Sequence, residues 1–346
     1  MVGKLMEKVL VTGSAGFIGG YIVAELLEQK YQVVGLDNLS KYGRVTRSFE
    51  ENSNYKFVVG DASNTELLVE LMKDCDHVIG GAALIGGISY FHEYAYDLLA
   101  KNERMIAALC DAAILTRKTQ KRLKKVTFMS SSMVYESTDR WPSKEGDETL
   151  IPPPKSSYGF QKLAVEYFAR AAWDQYQLPY TICRPFNCVG IGEARAIGGA
   201  EIKSGDISLA LSHVVPDIVQ KILKGQQPLH LLGDGKQVRH YTYGGDLAKG
   251  VVAAMASEKA LNEDFNLSTA TSTTVLELVE LIWSKINPEK ELKIIFDKPF
   301  KHDVQKRIPD VEKAQQILDF QADTTLSEML DEVIPWIKSA IDQNLI

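Results

Sequence analysis

The segment Val11–Gly20, VTGSAGFIGG, constrains this chain more than any other. It joins a short β-branched run, Lys8–Thr12, to a stretch from Phe17 to Lys30. In that stretch Ile18, Ile22, Leu26 and Leu27 recur at helical spacing. A strand that runs through three glycines straight into a helix has the form of a phosphate-binding turn. Gly13 allows the tight turn, Gly16 lets backbone approach a pyrophosphate, and Gly19 lets helix and strand pack closely. The helix start then faces the phosphates with free N–H groups and a partial positive charge. Gly13, Ala15, Gly16, Phe17, Ile18 and Gly19 are the expected cofactor contacts of this turn. Asp37 stands eighteen residues beyond Gly19 at the end of the next strand, followed by Asn38. A carboxylate there accepts from the adenosine ribose hydroxyls and repels a 2′-phosphate, which favours NAD over NADP. Lys41, Arg44 and Arg47 follow, so NADP stays open on sequence alone.

The rest of the first half alternates strand and helix patterns. Strands are expected at Gln32–Leu36, Lys56–Val59, His77–Ile79, Val126–Met129 and Tyr180–Cys183. Helices are expected near Thr65–Lys73, Glu93–Leu115 and Ser157–Tyr176. Apolar strands alternating with helices argue for a Rossmann-type, doubly wound parallel sheet. After Arg184 the alternation loosens. Gly190–Gly205 reads as a loop. Helices follow near Leu211–Leu223, Gly245–Ala256, Val275–Lys285 and Leu326–Ile341, with short strands at Leu229–Leu232, Phe265–Leu267 and Lys293–Phe296. The expected division is a dinucleotide-binding domain over 1–187, with 233–267 returning to it. A smaller mixed α/β substrate lobe takes 188–232 and 268–346. At 346 residues with 45% hydrophobic and 24% charged content, a sizeable core is expected.

A net charge of −6 speaks against a nucleic-acid partner. No apolar run is long enough to cross a bilayer. Cys75, Cys110, Cys183 and Cys188 match no zinc or redox spacing, so no metal site is expected. The cysteines read as reduced thiols, and a cytoplasmic location is the expectation.

The glycine spacing is GxxGxxG, which directs attention to a downstream Tyr-x-x-x-Lys. It is present as Tyr158-Gly-Phe-Gln-Lys162 on an expected helix, where the i,i+4 spacing puts both side chains on one face. A neighbouring ammonium favours phenolate and makes the tyrosine a usable base. Upstream, Phe128–Tyr135 (FMSSSMVY) places serines at the carboxyl end of a strand, where ligands bind in such sheets. A hydroxyl there can hold a substrate oxygen and relay its proton.

With these motifs in order, the chain resembles the extended short-chain dehydrogenases. It is most similar to the nucleotide-sugar epimerase/dehydratase family typified by UDP-galactose 4-epimerase. The resemblance runs through VTGSAGFIGG, LDN at Leu36–Asn38, Gly60–Asp61, Ala82–Ala83, Asn102, SSSMVY, YGFQK and RPFNCVG at Arg184–Gly190. It ends with GDGKQVRHYTYGGDLA at Gly233–Ala248 and a pattern from Asp303 to Ala314. It implies Ser131, Tyr158 and Lys162 as catalytic residues. Asp61 and Ala62 would form the adenine-binding turn, while Ala82, Ala83 and Asn102 would line the NAD. Ser132, Asn187, His213, Arg239 and Asp303 would hold a nucleotide-diphospho-sugar, most simply a UDP-sugar. It also implies a homodimer built on the long helix near Glu93–Leu115 and the Tyr158 helix, where Val165, Phe168, Ala169 and Ala172 fit either an interface or the core.

The departures narrow the reaction. Dehydratases of the family carry Asp-Glu where this chain has Ser132 and Met133; its 3,5-epimerases and decarboxylases place Cys or Glu at the Met133 position. What remains is chemistry needing only Ser, Tyr, Lys and NAD, and the expectation is 4-epimerisation through a transient 4-keto sugar. A dehydratase or net dehydrogenase is the alternative within enzymes, and a non-catalytic NAD-binding scaffold the alternative outside them. Gly80-Gly81 replaces the usual His-Leu, and Phe300 replaces an arginine common in hexose epimerases. His213 stands where an asparagine is usual, so the nucleotide end is expected to be held differently, through His213 or Lys301.

Overall fold

The structure is a computed structural model describing residues 6–85, 94–193, 202–204, 207–209, 213–299 and 304–346. Seven parallel strands form its centre: β1 (Lys8–Thr12), β2 (Gln32–Asp37), β3 (Tyr55–Val59), β4 (His77–Gly80), β5 (Lys125–Met129), β6 (Tyr180–Pro185) and β7 (Glu263–Leu267). Their spatial order is β7-β6-β5-β4-β1-β2-β3. The order reverses beside β1, and the crevice outside the carboxyl ends there is where such sheets bind ligands. The register puts Thr12 beside Leu36 on one side and Gly80 on the other, so the glycine turn and the segment after β4 leave the sheet together.

Helices cover both faces. On one, α2 (Thr65–Met72), α3 (Ala95–Thr119) and α4 (Ser157–Tyr176) bury a core around Leu10, Val78, Phe128 and Ile182. On the other, α1 (Phe17–Glu28) packs with α6 (Gly244–Ala256) and α8 (Glu312–Leu318) over Val9, Val11, Cys183 and Phe265. A separate apolar cluster joins α5 (Val214–Leu223), α7 (Val275–Ile286) and α9 (Leu326–Asp342) through Val219, Leu278, Ile282, Leu330 and Ile337. Two of these helices begin with reciprocal capping boxes, Thr274 with Glu277 and Thr325 with Glu328. Each box satisfies two otherwise orphaned N–H groups.

Two expectations change, and one open alternative is decided. The Gly190–Gly205 stretch is not all loop, because Ile202–Ser204 pairs antiparallel with Ile207–Leu209. Residues 194–201 and 205 of that stretch lie outside the described residues. The helix Glu312–Leu318 was not foreseen; its seven residues are too few to show a clear period. Finally, Val165, Ala169 and Ala172 are buried in the chain's own core and Phe168 packs against it, so they do not form a free face. No helix among the described residues is long and apolar enough to cross a membrane.

Candidate active site

The glycine turn is built by close contacts. Gly13 has φ +75°, and a Cβ there would lie 2.9 Å from the backbone of Ala82. A Cβ on Gly19 would lie 2.0 Å from the Gly13 carbonyl oxygen. The Gly13 N–H donates to Leu36 O at 2.8 Å, tying the turn to β2. No side chain caps α1 at Gly16, which leaves the helix start open to an anion, and Phe17 and Ile18 begin the helix. Phe17 stands edge-on to Tyr21, with ring centroids 5.8 Å apart. Asp37 accepts from Ala15 N–H at 3.1 Å and Leu39 N–H at 2.8 Å. This carboxylate therefore sits directly against the turn. The cradle that side chains would fill, the open helix end and the adjacent carboxylate all fit NAD.

Each of the three cations after Asp37 has partners within the protein. Arg44 pairs with Glu50 at 3.0 Å and lies over Phe57. Arg47 donates to the carbonyls of Ala15 and Gly16 at 3.4 and 3.3 Å and reaches Gly192 O at 3.5 Å. Lys41 lies over the Tyr42 ring and interacts with Glu193. Asn38 accepts from Ser40 N–H at 3.0 Å. Asp61 accepts from the N–H and hydroxyl of Ser63, both at 2.8 Å, with Ala62 buried beside it. Ala82 N–H donates to Thr12 Oγ1 at 3.2 Å, and Ala83 follows. Asn102 is buried on α3 and spends its amide on Leu84, accepting at 2.6 Å and donating at 2.9 Å. It holds the segment after β4 in place.

The proposed catalytic trio converges at the carboxyl end of β5. Ser131 caps a 3₁₀ turn, Ser132–Tyr135, and its hydroxyl accepts from Met133 N–H at 3.2 Å. On α4, the Ser156 hydroxyl accepts from Gly159 N–H at 3.0 Å and starts the helix. Tyr158 is thereby brought to Ser131, with which it shares a hydrogen bond. Burial pushes the Tyr158 phenol above its usual range, opposed by the Ser131 hydrogen bond and by the Arg307 guanidinium. Lys162, one turn on, donates to Met129 O at 2.9 Å, its ammonium 6.0 Å from the Tyr158 ring centroid. Burial lowers its pKa to about 8. Ser132 is buried beside Ser131.

Behind the trio lies a buried ion network. Ser130 donates to Glu166 at 2.6 Å. Arg184, fully buried on β6, reaches Glu166 at 2.7 Å, Glu148 at 3.0 Å and Asp264 at 2.6 Å. The three carboxylates lie close enough together to hold a metal ion, but Arg184 and Arg170 occupy the space between them.

The substrate residues are spread around the crevice. Asn187 follows β6 with φ +34° and donates to His240 O at 3.4 Å. Arg239 is nearly buried and donates to Val238 O at 2.9 Å. His213 precedes α5 with Nδ1 bonded to the buried Glu193. Asp303, with Phe300 and Lys301, lies outside the described residues. Sequence reasoning missed Glu193 and Arg307. Both are recruited by pairing between distant segments, and neither belongs to a local motif.

Comparison with known proteins agrees with this geometry. A family model, the NAD dependent epimerase/dehydratase family, matches residues 9–268. A putative UDP-glucose 4-epimerase of Methanocaldococcus jannaschii is 32% identical over 335 residues, covering 96% of this chain and 98% of its own. The crystal structure of a UDP-glucose 4-epimerase from Thermotoga maritima, with UDP-glucose, superposes with TM-score 0.80. It is 28% identical and covers 96% of this chain and 99% of its own. A UDP-glucuronic acid 4-epimerase from Bacillus cereus, a tyrosine-to-phenylalanine mutant with a fluorinated substrate analogue and NAD, also gives TM-score 0.80. It is 27% identical, with coverage of 96% and 99%. The protein belongs to the NAD-dependent epimerase/dehydratase family.

Proposed function

We propose that this protein is a 4-epimerase of a nucleotide-diphospho-sugar, with a UDP-sugar as substrate. The observation that carries the reading is the Tyr158–Ser131 pair, with Lys162 beneath and Met133 beside it. A base, a hydroxyl relay and a cation are together, while the Met133 side chain offers no acid for dehydration. NAD, when bound, supplies reversible hydride acceptance at C4. Tyr158 takes the C4 hydroxyl proton through or beside Ser131, and returns it once the other face of the 4-keto sugar is presented. Lys162 stabilises the phenolate, and the buried walls exclude water. Glycines 13, 16 and 19 with Asp37 hold the cofactor; Asn187, Arg239 and His213 hold the nucleotide end, the guanidinium being suited to paired phosphate oxygens. The similarity to 4-epimerases of UDP-glucose and UDP-glucuronic acid supports this substrate class.

In this reading the lobe carrying α5, α7 and α9 closes over the sugar. The outer face of α3 and α4 would join two copies through Tyr96, Phe160 and Tyr167, which are 77%, 49% and 60% exposed. Four free thiols, three of them buried, are in keeping with a reducing compartment such as the cytoplasm. The test is NMR of the product from a panel of UDP-sugars. The 4-epimer should form with no net NADH; a 4-keto-6-deoxy product or accumulating NADH would assign the dehydratase or dehydrogenase alternative, and a panel without turnover the non-catalytic one.

A further inference from the structure

Two side chains of the cofactor lobe, Arg47 and Tyr21, are wedged against the segment that follows β6. Arg47 lies in the loop between β2 and β3. A Cβ on Gly20 of α1 would meet its guanidinium carbon at 3.2 Å, and one on Gly192, where φ is +94°, would overlap its Nη1. The guanidinium therefore fills a gap that exists because both neighbours are glycine. Its Nη2 donates to Ala15 O at 3.4 Å and Gly16 O at 3.3 Å in the glycine turn, and to Gly192 O at 3.5 Å across the gap. Tyr21 stands in a second gap of the same kind. A Cβ on Gly244 would meet its ring at 2.6 Å, and one on Gly190 would overlap its hydroxyl oxygen. That oxygen accepts from Ile191 N–H at 2.9 Å. The next side chain, Glu193, bonds His213 at the start of α5. Four consecutive residues are thus tied down in turn. Gly190–Glu193 is a strap that runs from the helix of the glycine turn to the substrate lobe.

The charge of Arg47 is not balanced where it lies. Its side-chain bonds go to carbonyl oxygens, and its Nε is buried without a partner. Glu50 accepts from the Arg47 main-chain N–H at 3.1 Å and pairs with Arg44 at 3.0 Å. A buried cation without a bonded anion is costly. The diphosphate of NAD, when bound at the open start of α1, supplies that anion. The Gly16 carbonyl belongs to the same peptide as the Phe17 N–H, the first of the helix. A guanidinium on that oxygen polarises the peptide and makes its N–H a stronger donor to a phosphate.

We propose that Arg47 and Tyr21 are positioning residues for NAD, bracing the glycine turn against the Gly190–Glu193 strap, with Arg47 as the buried counter-charge of the diphosphate. The inference rests on NAD as cofactor and not on the 4-epimerase reading, and it is tested without any sugar. Radiolabelled NAD is loaded onto the wild type, Arg47→Met, Arg47→Lys and Tyr21→Phe. Its release into excess unlabelled NAD is timed, and thermal melts are recorded with and without NAD. Arg47→Met should release NAD at least about 30-fold faster and lose most of the rise in melting temperature that NAD confers. Arg47→Lys keeps the charge without the planar fork and should fall between the two. Tyr21→Phe keeps the ring in its glycine gap, loses the bond to Ile191, and should release NAD about 3–10-fold faster. Release from Arg47→Met within about 3-fold of the wild type overturns the proposal. So does a lower melting temperature of the NAD-free variant with unchanged release, the mark of a purely structural role. If the methionine variant does not fold, the lysine and Tyr21 variants decide, and release from both within about 2-fold of the wild type overturns it.

Discussion

Lys162 donates its ammonium to the carbonyl oxygen of Met129 at 2.9 Å, from a position one helical turn below Tyr158. The charge is fixed by the last residue of β5, the strand whose end also carries Ser131. One strand terminus therefore positions both the Lys162 cation beside the Tyr158 ring and the Ser131 hydroxyl bonded to its phenol. The cation is held at a cost, because burial brings its pKa to about 8.

Replacing Lys162 with Met should separate stability from activity. The unfolded chain binds this proton more tightly than the folded one, with a pKa near the ordinary lysine value of about 10.4. Below pH 8 both states are protonated and the burial penalty is fully present. Between pH 8 and about 10.4 the folded state sheds the proton first, and the wild type gains on the variant. Urea denaturation of the cofactor-free proteins should find Lys162→Met more stable by about 1–3 kcal/mol at pH 7. The difference should shrink by pH 10, while turnover falls about 100-fold or more. A difference independent of pH would contradict the assigned shift.

Gly13 and Gly146 provide a matched pair. Both have positive φ, +75° and +95°, but a Cβ on Gly13 meets Ala82 at 2.9 Å while one on Gly146 meets nothing within 4 Å. Gly13→Ala should cost about 1–3 kcal/mol and weaken NAD binding, because the segment after β4 must move. Gly146→Ala should cost about 1 kcal/mol from backbone strain and leave NAD affinity as it is. Scanning calorimetry and titration with NAD check both.

Arg184→Met should be the most disruptive single change in the core. It leaves Glu166 and Glu148 with Arg170 as their remaining cation, while Asp264 keeps Arg170 and Lys313. Arg184, Glu148 and Glu166 are fully buried, and removing one partner of a buried ion pair costs about 3–5 kcal/mol. Denaturant titration measures this loss. The double change Arg184→Met with Glu166→Gln should recover part of it, and a loss under about 1 kcal/mol would show that the network is solvated.

The legible parts of the sequence were those encoded locally. VTGSAGFIGG is strand, turn and helix within ten consecutive residues, and Tyr158 and Lys162 share a helix face by spacing alone. The α4 limits, Ser157–Tyr176, follow from a capping serine and the left-handed Gln177. Residues that depend on distant pairing were not legible. Arg307 reaches the site only because Val238 pairs with Lys306, and Arg47 touches the glycine turn from the far end of a loop. The apolar positions of α4 had a second fate open to them. Burial against Phe128 and Ile182 decides it for the core, a matter of tertiary packing that helical spacing does not encode.

The most direct test of the central claim is single-turnover kinetics on Tyr158→Phe with NAD and the matching UDP-sugar. The change removes one oxygen from a buried ring and leaves the fold and both ligand surfaces in place. The predicted result is NAD and UDP-sugar affinity within about 3-fold of wild type, with formation of the 4-keto sugar slowed by about 10²–10⁴-fold. A variant that still epimerises within about 10-fold of the wild-type rate would show that Tyr158 is not the base.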